Sequence, residues 1–161
     1  MEARAPRRFP VTERRFTVSD VEAQPSSGTR RTRDTLFSSV PLLAGLSGRQ
    51  IKKLARAANE DRYDRGTVIL REGGRTSSLF VIAEGTAKVV RGGRTVARRS
   101  AGEFFGEISM IDLRPRTATI TAETPMVCLV LQQRMLRQLV AGDSTMAWSL
   151  LQTLAGRVRD D

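Results

Sequence analysis

The chain has 161 residues, a formal net charge of +10 and a hydrophobic fraction of 40%, which is room for one domain with a core and hardly for two. It contains no histidine and one cysteine, Cys128, so the usual general base, the His-based triads, a disulfide framework and a Cys–His zinc site are all excluded. No apolar run approaches the roughly 20 residues that span a bilayer, and the basic N-terminus lacks the apolar stretch of a secretory signal; a cytoplasmic protein with no membrane partner, no metal and no enzymatic activity is expected.

Residues 1–34 carry eight arginines, five acidic residues, three prolines and a "PSSG" run, with few apolar side chains. Such a composition buries too little surface to order itself. It is expected to be a flexible basic extension, followed by one folded domain over 35–161. From Thr35 the texture changes. "TLFSSVPLLAGL" is expected to be helical, and Ser47 is expected to cap a helix over "GRQIKKLARAA" with Ile51, Leu54, Ala55 and Ala58 at helical spacing.

After "NEDRYDRG" the period becomes two, or short apolar runs bounded by glycine. Strands are expected in "TVILRE" (67–72), "SLFVIAEG" (78–85), "TAKVVRGG" (86–93), "RTVARRS" (94–100), "TATITAE" (117–123) and "MVCLVLQ" (126–132). The glycine pair in "RGGR" (91–94) marks a tight turn with positive φ. Short strands spaced near ten residues point to a mainly β fold, an antiparallel roll of jelly-roll type, flanked by helices at both ends. Cys128, inside the last apolar run, is expected to be an inert core thiol.

The C-terminal part is helical in pattern. "QQRMLRQLVA" is followed by Gly142-Asp143 and then by a helix in which Ala147, Leu150, Leu151, Leu154, Ala155 and Val158 form an apolar stripe. That stripe either packs on the roll or joins two copies into a homodimer. The positive charge is almost all arginine, 24 against three lysines. It is scattered and lacks interleaved aromatics, which argues against nucleic-acid binding by this chain alone, while small anionic ligands gain from the same field.

"GEFFGEISMIDLRPRTATITA" (102–122) holds the chemistry. Gly106 permits a close backbone approach ahead of a short helical turn whose amides face outward. Arg116 offers a planar fork for phosphate oxygens, and Glu107, when ionised, only accepts hydrogen bonds and therefore suits a hydroxyl. A ligand with a phosphate and an adjacent sugar hydroxyl satisfies both, as a cyclic nucleotide does. The competing reading is a surface ion pair contributing about 0–1 kcal/mol, and spacing alone favours it.

"FGEISMIDLRPRTATITA" closely resembles the phosphate-binding cassette of the cyclic nucleotide-binding domain family: Phe105-Gly106-Glu107, an apolar turn, an insert, then Arg116-Thr117-Ala118-Thr119. "VILREGG…SLFVIAEGTAKVV" looks like the family's earlier strands and "LAGLSGRQIKKLARAA" like its leading helices, so the likeness runs over about residues 36–159. The resemblance implies a β-roll with a short helix in the cassette, Glu107 accepting from a ribose 2′-OH, and Arg116 on the cyclic phosphate. It also implies that the backbones of Gly106, Ile108, Thr117 and Ala118 line phosphate and ribose, and that Val89 or Val90 packs on the base.

The implied ligand is cAMP or cGMP, with cAMP favoured although Thr117 follows the arginine. The implied role is a non-enzymatic sensor that signals by movement of its flanking helices to an effector protein or fused domain. Two further readings stand beside it. One is the sensing half of a helix-turn-helix transcription regulator, in which case DNA is a partner only through a domain beyond this chain. The other is a degenerate scaffold that binds nucleic acid or protein through its basic surface.

Overall fold

The computed structural model describes residues 32–160. The extension expected over 1–34 therefore lies outside the described residues except for Thr32, Arg33 and Asp34. Thr32 caps the first helix, α1 (Arg33–Ser38), accepting from the Thr35 amide at 3.2 Å. A continuous helix through "TLFSSVPLLAGL" does not form. Pro41 cannot continue the helical hydrogen bonding, and the chain re-forms as a single 3₁₀ turn over Pro41–Leu43. Helix α2 (Gly48–Ala57) starts where expected, with Ser47 and Gln50 in a reciprocal capping box.

Eight strands follow, with one short helix among them: β1 (Asn59–Tyr63), β2 (Val68–Leu70), β3 (Ser78–Glu84), β4 (Thr86–Arg91), β5 (Arg94–Ser100), β6 (Phe104–Phe105), α3 (Glu107–Asp112), β7 (Thr119–Ala122) and β8 (Met126–Gln132). The chain ends in α4 (Gln133–Ala141) and α5 (Ser144–Asp160). The strands make two four-stranded antiparallel sheets, β1-β8-β3-β6 and β2-β7-β4-β5. Gly92 and Gly93, both at positive φ (55° and 77°), make the β4–β5 turn as the sequence requires.

Strands β3 and β8 explain why their sequences are continuously apolar rather than alternating. Each is buried on both faces. Leu79, Val81, Leu129 and Leu131 pack against Phe37, Leu54, Met146 and other helical side chains, while Phe80, Ile82, Cys128 and Val130 face the second sheet. The two cores thus lie on either side of one sheet. Cys128 is fully buried in the inter-sheet core, and burial, followed by the charge of Asp61, pushes its thiol pKa up to about 12. Thiol-directed reagents should leave the folded protein unlabelled until it is unfolded; labelling at the rate of free cysteine would contradict this placement.

Gln50 ties the two ends of the helical layer. Its Oε1 accepts from Ser47 N at 2.9 Å and its Nε2 donates to Asp143 Oδ2 at 3.1 Å, while Asp143 Oδ1 accepts from Met146 N in the first turn of α5. Gln50→Ala should cost about 1–2 kcal/mol, read as a lower denaturation midpoint. The bond from Gln50, with that from Met146 N, holds the Asp143 carboxyl below its ordinary pKa. Its stabilising contribution is therefore present above the unfolded value, about 4, and is lost as pH falls through the folded one.

The stripe expected on the last helix divides. Leu150 and Leu154 join Met146 against the core, whereas Leu151 and Val158 are 57% and 75% exposed, as is Trp148 (63%) outside the stripe. Among the described residues no helix is long and apolar enough to cross a membrane.

Candidate ligand-binding site

β6 delivers the chain to the site. Phe105 pairs with Phe80 across the strands, and their rings stack with centroids 4.8 Å apart. The next residue, Gly106, turns the chain at φ 88° into α3. A Cβ at Gly106 would lie 2.5 Å from Ser78 O and 2.6 Å from Arg116 Nη1. The glycine is required twice, by its backbone angle and by the guanidinium pressed against it.

Arg116 is 4% exposed. Its Nε donates to Thr76 Oγ1 at 3.2 Å, Nη1 to Gly106 O at 3.2 Å and Nη2 to Ser78 O at 2.9 Å. Three of its five N–H groups are thereby held by neutral oxygens, and one hydrogen on each terminal nitrogen remains. Its backbone is fastened as firmly: Arg116 N donates to Gly74 O at 2.8 Å and Gly73 N to Arg116 O at 2.7 Å. No carboxylate among the described residues lies within ion-pairing distance of the guanidinium. Burial lowers the Arg116 pKa from its ordinary value and the nearby Glu107 charge raises it in part, which leaves the group cationic at neutral pH. The surface ion pair is thereby ruled out: Arg116 is buried, and Glu107 influences it without touching it.

A cavity of about 540 Å³ opens beside this arginine. Gly106, Glu107, Ile108, Arg116, Thr117, Ala118 and Val89 all line it. Val90, the other residue singled out on β4, is not among the lining residues; a register shift separates it from Val89. The sequence reading missed Leu70 and Ile120, which extend the apolar wall beside Val89, and three charged residues, Arg91, Arg99 and Glu103. Glu103 is anchored by Ser100, whose amide donates at 2.6 Å and holds the carboxyl below its ordinary pKa.

One end of the cavity is therefore cationic and lined by close backbone, a carboxylate stands beside it, and Val89, Leu70 and Ile120 form an apolar wall, with Arg91, Arg99 and Glu103 among the other lining residues. That arrangement can take a ligand with an anionic group, a hydroxyl donor next to it, and a flat apolar body. A second, apolar cleft of about 220 Å³ lies between α3 and α5, lined by Ile108, Ile111, Leu42 and Leu154 with Glu107 and Asp112.

Comparison with known proteins identifies the family of this fold. The cyclic nucleotide-binding domain matches residues 60–143, just over half of the 161. A cAMP-dependent protein kinase regulatory subunit of Mycosarcoma maydis is 30% identical over 112 residues, 67% of this chain but 21% of that protein. The chain thus spans about a fifth of this curated relative. Among solved structures, the N-terminal domain of a transcriptional regulator from Streptomyces coelicolor A3(2) superposes with a TM-score of 0.73 at 32% identity, covering 79% of this chain and 92% of that one. The Thermus thermophilus catabolite activator protein gives 0.61 at 29% identity, covering 74% and 59%. The two packed antiparallel sheets with helices at both ends are the β-roll of this family, and the chain belongs to the cyclic nucleotide-binding domain family.

Proposed function

We propose that this chain is a non-enzymatic sensor of a 3′,5′-cyclic nucleotide, cAMP in preference to cGMP, bound in the cavity beside Arg116. The observation that carries the proposal is the buried guanidinium, which has three neutral acceptors and, among the described residues, no carboxylate within ion-pairing distance. A cation withdrawn from water without an anion is costly, so an arriving cyclic phosphate meets a site already organised for it. In this reading Arg116 pairs with the phosphate, and the backbones of Gly106, Ile108, Thr117 and Ala118 line phosphate and ribose. Glu107 accepts from the 2′-OH, and Val89 packs on the base. The choice of cAMP follows the relatives named as cAMP-dependent.

Signalling needs two states that differ in affinity for ligand. The cleft between α3 and α5 gives α3 a direction in which to move when its first turn is occupied. The outer face of α5 supports dimerisation: Trp148, Leu151, Ala155 and Val158 recur at spacings of three, four and three residues and are all exposed, the pattern of a helix–helix seam. Leu151→Asp should convert a dimer to a monomer in sedimentation equilibrium without lowering stability. An unchanged mass would remove the seam from the proposal.

Calorimetric titration of nucleotide-free protein with cAMP and with cGMP tests the central reading. Saturable heat with one site per chain is expected, with cAMP the tighter. No heat with either at sub-millimolar ligand would refute it.

A second reading is favoured by the likeness to part of a transcriptional regulator: this chain is the sensing part of a DNA-binding protein. An in-frame helix-turn-helix segment in the gene beyond codon 161 would support it, and a stop codon at that point would exclude it.

A further inference from the structure

Besides Arg116 the cavity is lined by Arg91 and Arg99, and the phosphate and ribose do not account for the position of Arg91. Arg91 closes β4, two residues after Val89, and lines the same cavity as Val89, Leu70, Ile120 and Thr117. Its Nε donates to Thr117 O at 3.2 Å, which lays the guanidinium across the segment that follows Arg116. No hydrogen bond or ion pair among the described residues engages its two terminal nitrogens. The turn behind it is fixed as well: Gly92 N donates to Glu72 Oε2 at 3.0 Å and Glu72 N to Thr119 Oγ1 at 3.0 Å. The hairpin tip is thus tied to the cassette strand from both sides, and less freedom is lost when its arginine engages a ligand.

We propose that Arg91 is a base-reading residue whose terminal N–H groups meet the outer edge of the purine, and that it admits guanine beside adenine. The inference rests on the cyclic-nucleotide reading above. With phosphate on Arg116 and ribose hydroxyl on Glu107, the base is left with the apolar wall of Val89, Leu70 and Ile120, and Arg91 stands at the end of that wall. Arginine carries only donors. Guanine presents two adjacent acceptors, N7 and O6, which a guanidinium fork pairs with together, whereas adenine presents N7 beside an amino group that is itself a donor. One contact to adenine and two to guanine follow. The protein therefore binds cGMP within a modest factor of cAMP, and Arg91 sets that factor.

The test is titration of wild-type, Arg91→Ala and Arg91→Lys protein with cAMP and with cGMP. Arg91 is exposed, so both variants should melt with the wild type. Arg91→Ala is expected to raise the cGMP Kd about tenfold and the cAMP Kd about threefold or less, widening the preference for cAMP. Arg91→Lys, with a single point donor, should fall between wild type and alanine for cGMP. If both nucleotides weaken by the same factor, or neither changes, Arg91 does not read the base and this inference is overturned while the sensor reading stands. If the wild type itself binds neither nucleotide, the sensor reading fails and takes this one with it.

Discussion

Arg116→Ala is expected to raise the Kd for cyclic nucleotide by about 100-fold or more, the loss of two charge-assisted bonds of roughly 1.5–3 kcal/mol each. The same replacement acts on the empty protein. Thr76 Oγ1, Ser78 O and Gly106 O lose their donors, and a loss of about 1–2 kcal/mol in unfolding free energy follows; it is no larger because the cost of burying the cation disappears too. Arg116→Lys separates the roles. It keeps the charge, but an ammonium cannot hold three acceptors in one plane and still offer two parallel bonds to a phosphate, so binding should stay weak. Arg98→Ala is the matched control: Arg98 is mostly exposed and paired with Glu123 at 3.0 Å, and its removal should leave ligand affinity within about twofold. Equal losses for Arg98→Ala and Arg116→Ala would remove Arg116 from the site.

Gly106→Ala is expected to be the most disruptive small change in the cassette. The residue sits at φ 88°, where a side chain is strained, and its Cβ would displace both Ser78 O and the Arg116 guanidinium. A loss of about 2–4 kcal/mol in stability together with loss of ligand binding is expected. Gly93→Ala isolates the two causes. Gly93 has φ 77° but open space around its missing Cβ, so the alanine there carries the backbone strain alone, about 1 kcal/mol, and should leave binding intact. If the two variants are equally stable and bind alike, the close approach at Gly106 is not what shapes the cavity.

Sequence patterning reached far into this fold, and the places where it stopped have physical causes. β8 is legible to the residue because Met126–Gln132 is apolar throughout, being buried between two cores. β1 was not, because Asn59–Tyr63 is an edge strand that leaves Glu60 and Arg62 exposed and packs only Tyr63 against a core. β6 is two residues long and has no period to read. The α5 stripe was expected as one set, but Leu150 and Leu154 meet the core while Leu151, Ala155 and Val158 are exposed, since spacing alone does not say which apolar residues meet the core and which meet solvent.

In the site, Glu107, Arg116 and Gly106 stood out through the cassette pattern, while the partners of Arg116 did not. Thr76 and Ser78 lie 40 and 38 residues away in sequence, and long-range contacts bring them to the arginine: the backbone bonds of Arg116 to Gly73 and Gly74, and the pairing of β3 with β6. Arg91 was hidden for a similar reason. Its one local signal is that it follows Val89 by two positions on a strand, which places both on the same wall.

The central claim is that Glu107 and Arg116 hold the two ends of one ligand. The measurement that bears on it most directly is a thermodynamic cycle: cAMP and 2′-deoxy-cAMP titrated into wild-type protein and into Glu107→Gln. If Glu107 accepts from the 2′-OH, the wild type should prefer cAMP by about 10- to 100-fold, the strength of a hydrogen bond to a charged group, and Glu107→Gln, whose amide oxygen still accepts but carries no charge, should cut that preference to about a few-fold. A wild type that does not distinguish them, or a Glu107→Gln variant that keeps the full preference, would contradict it.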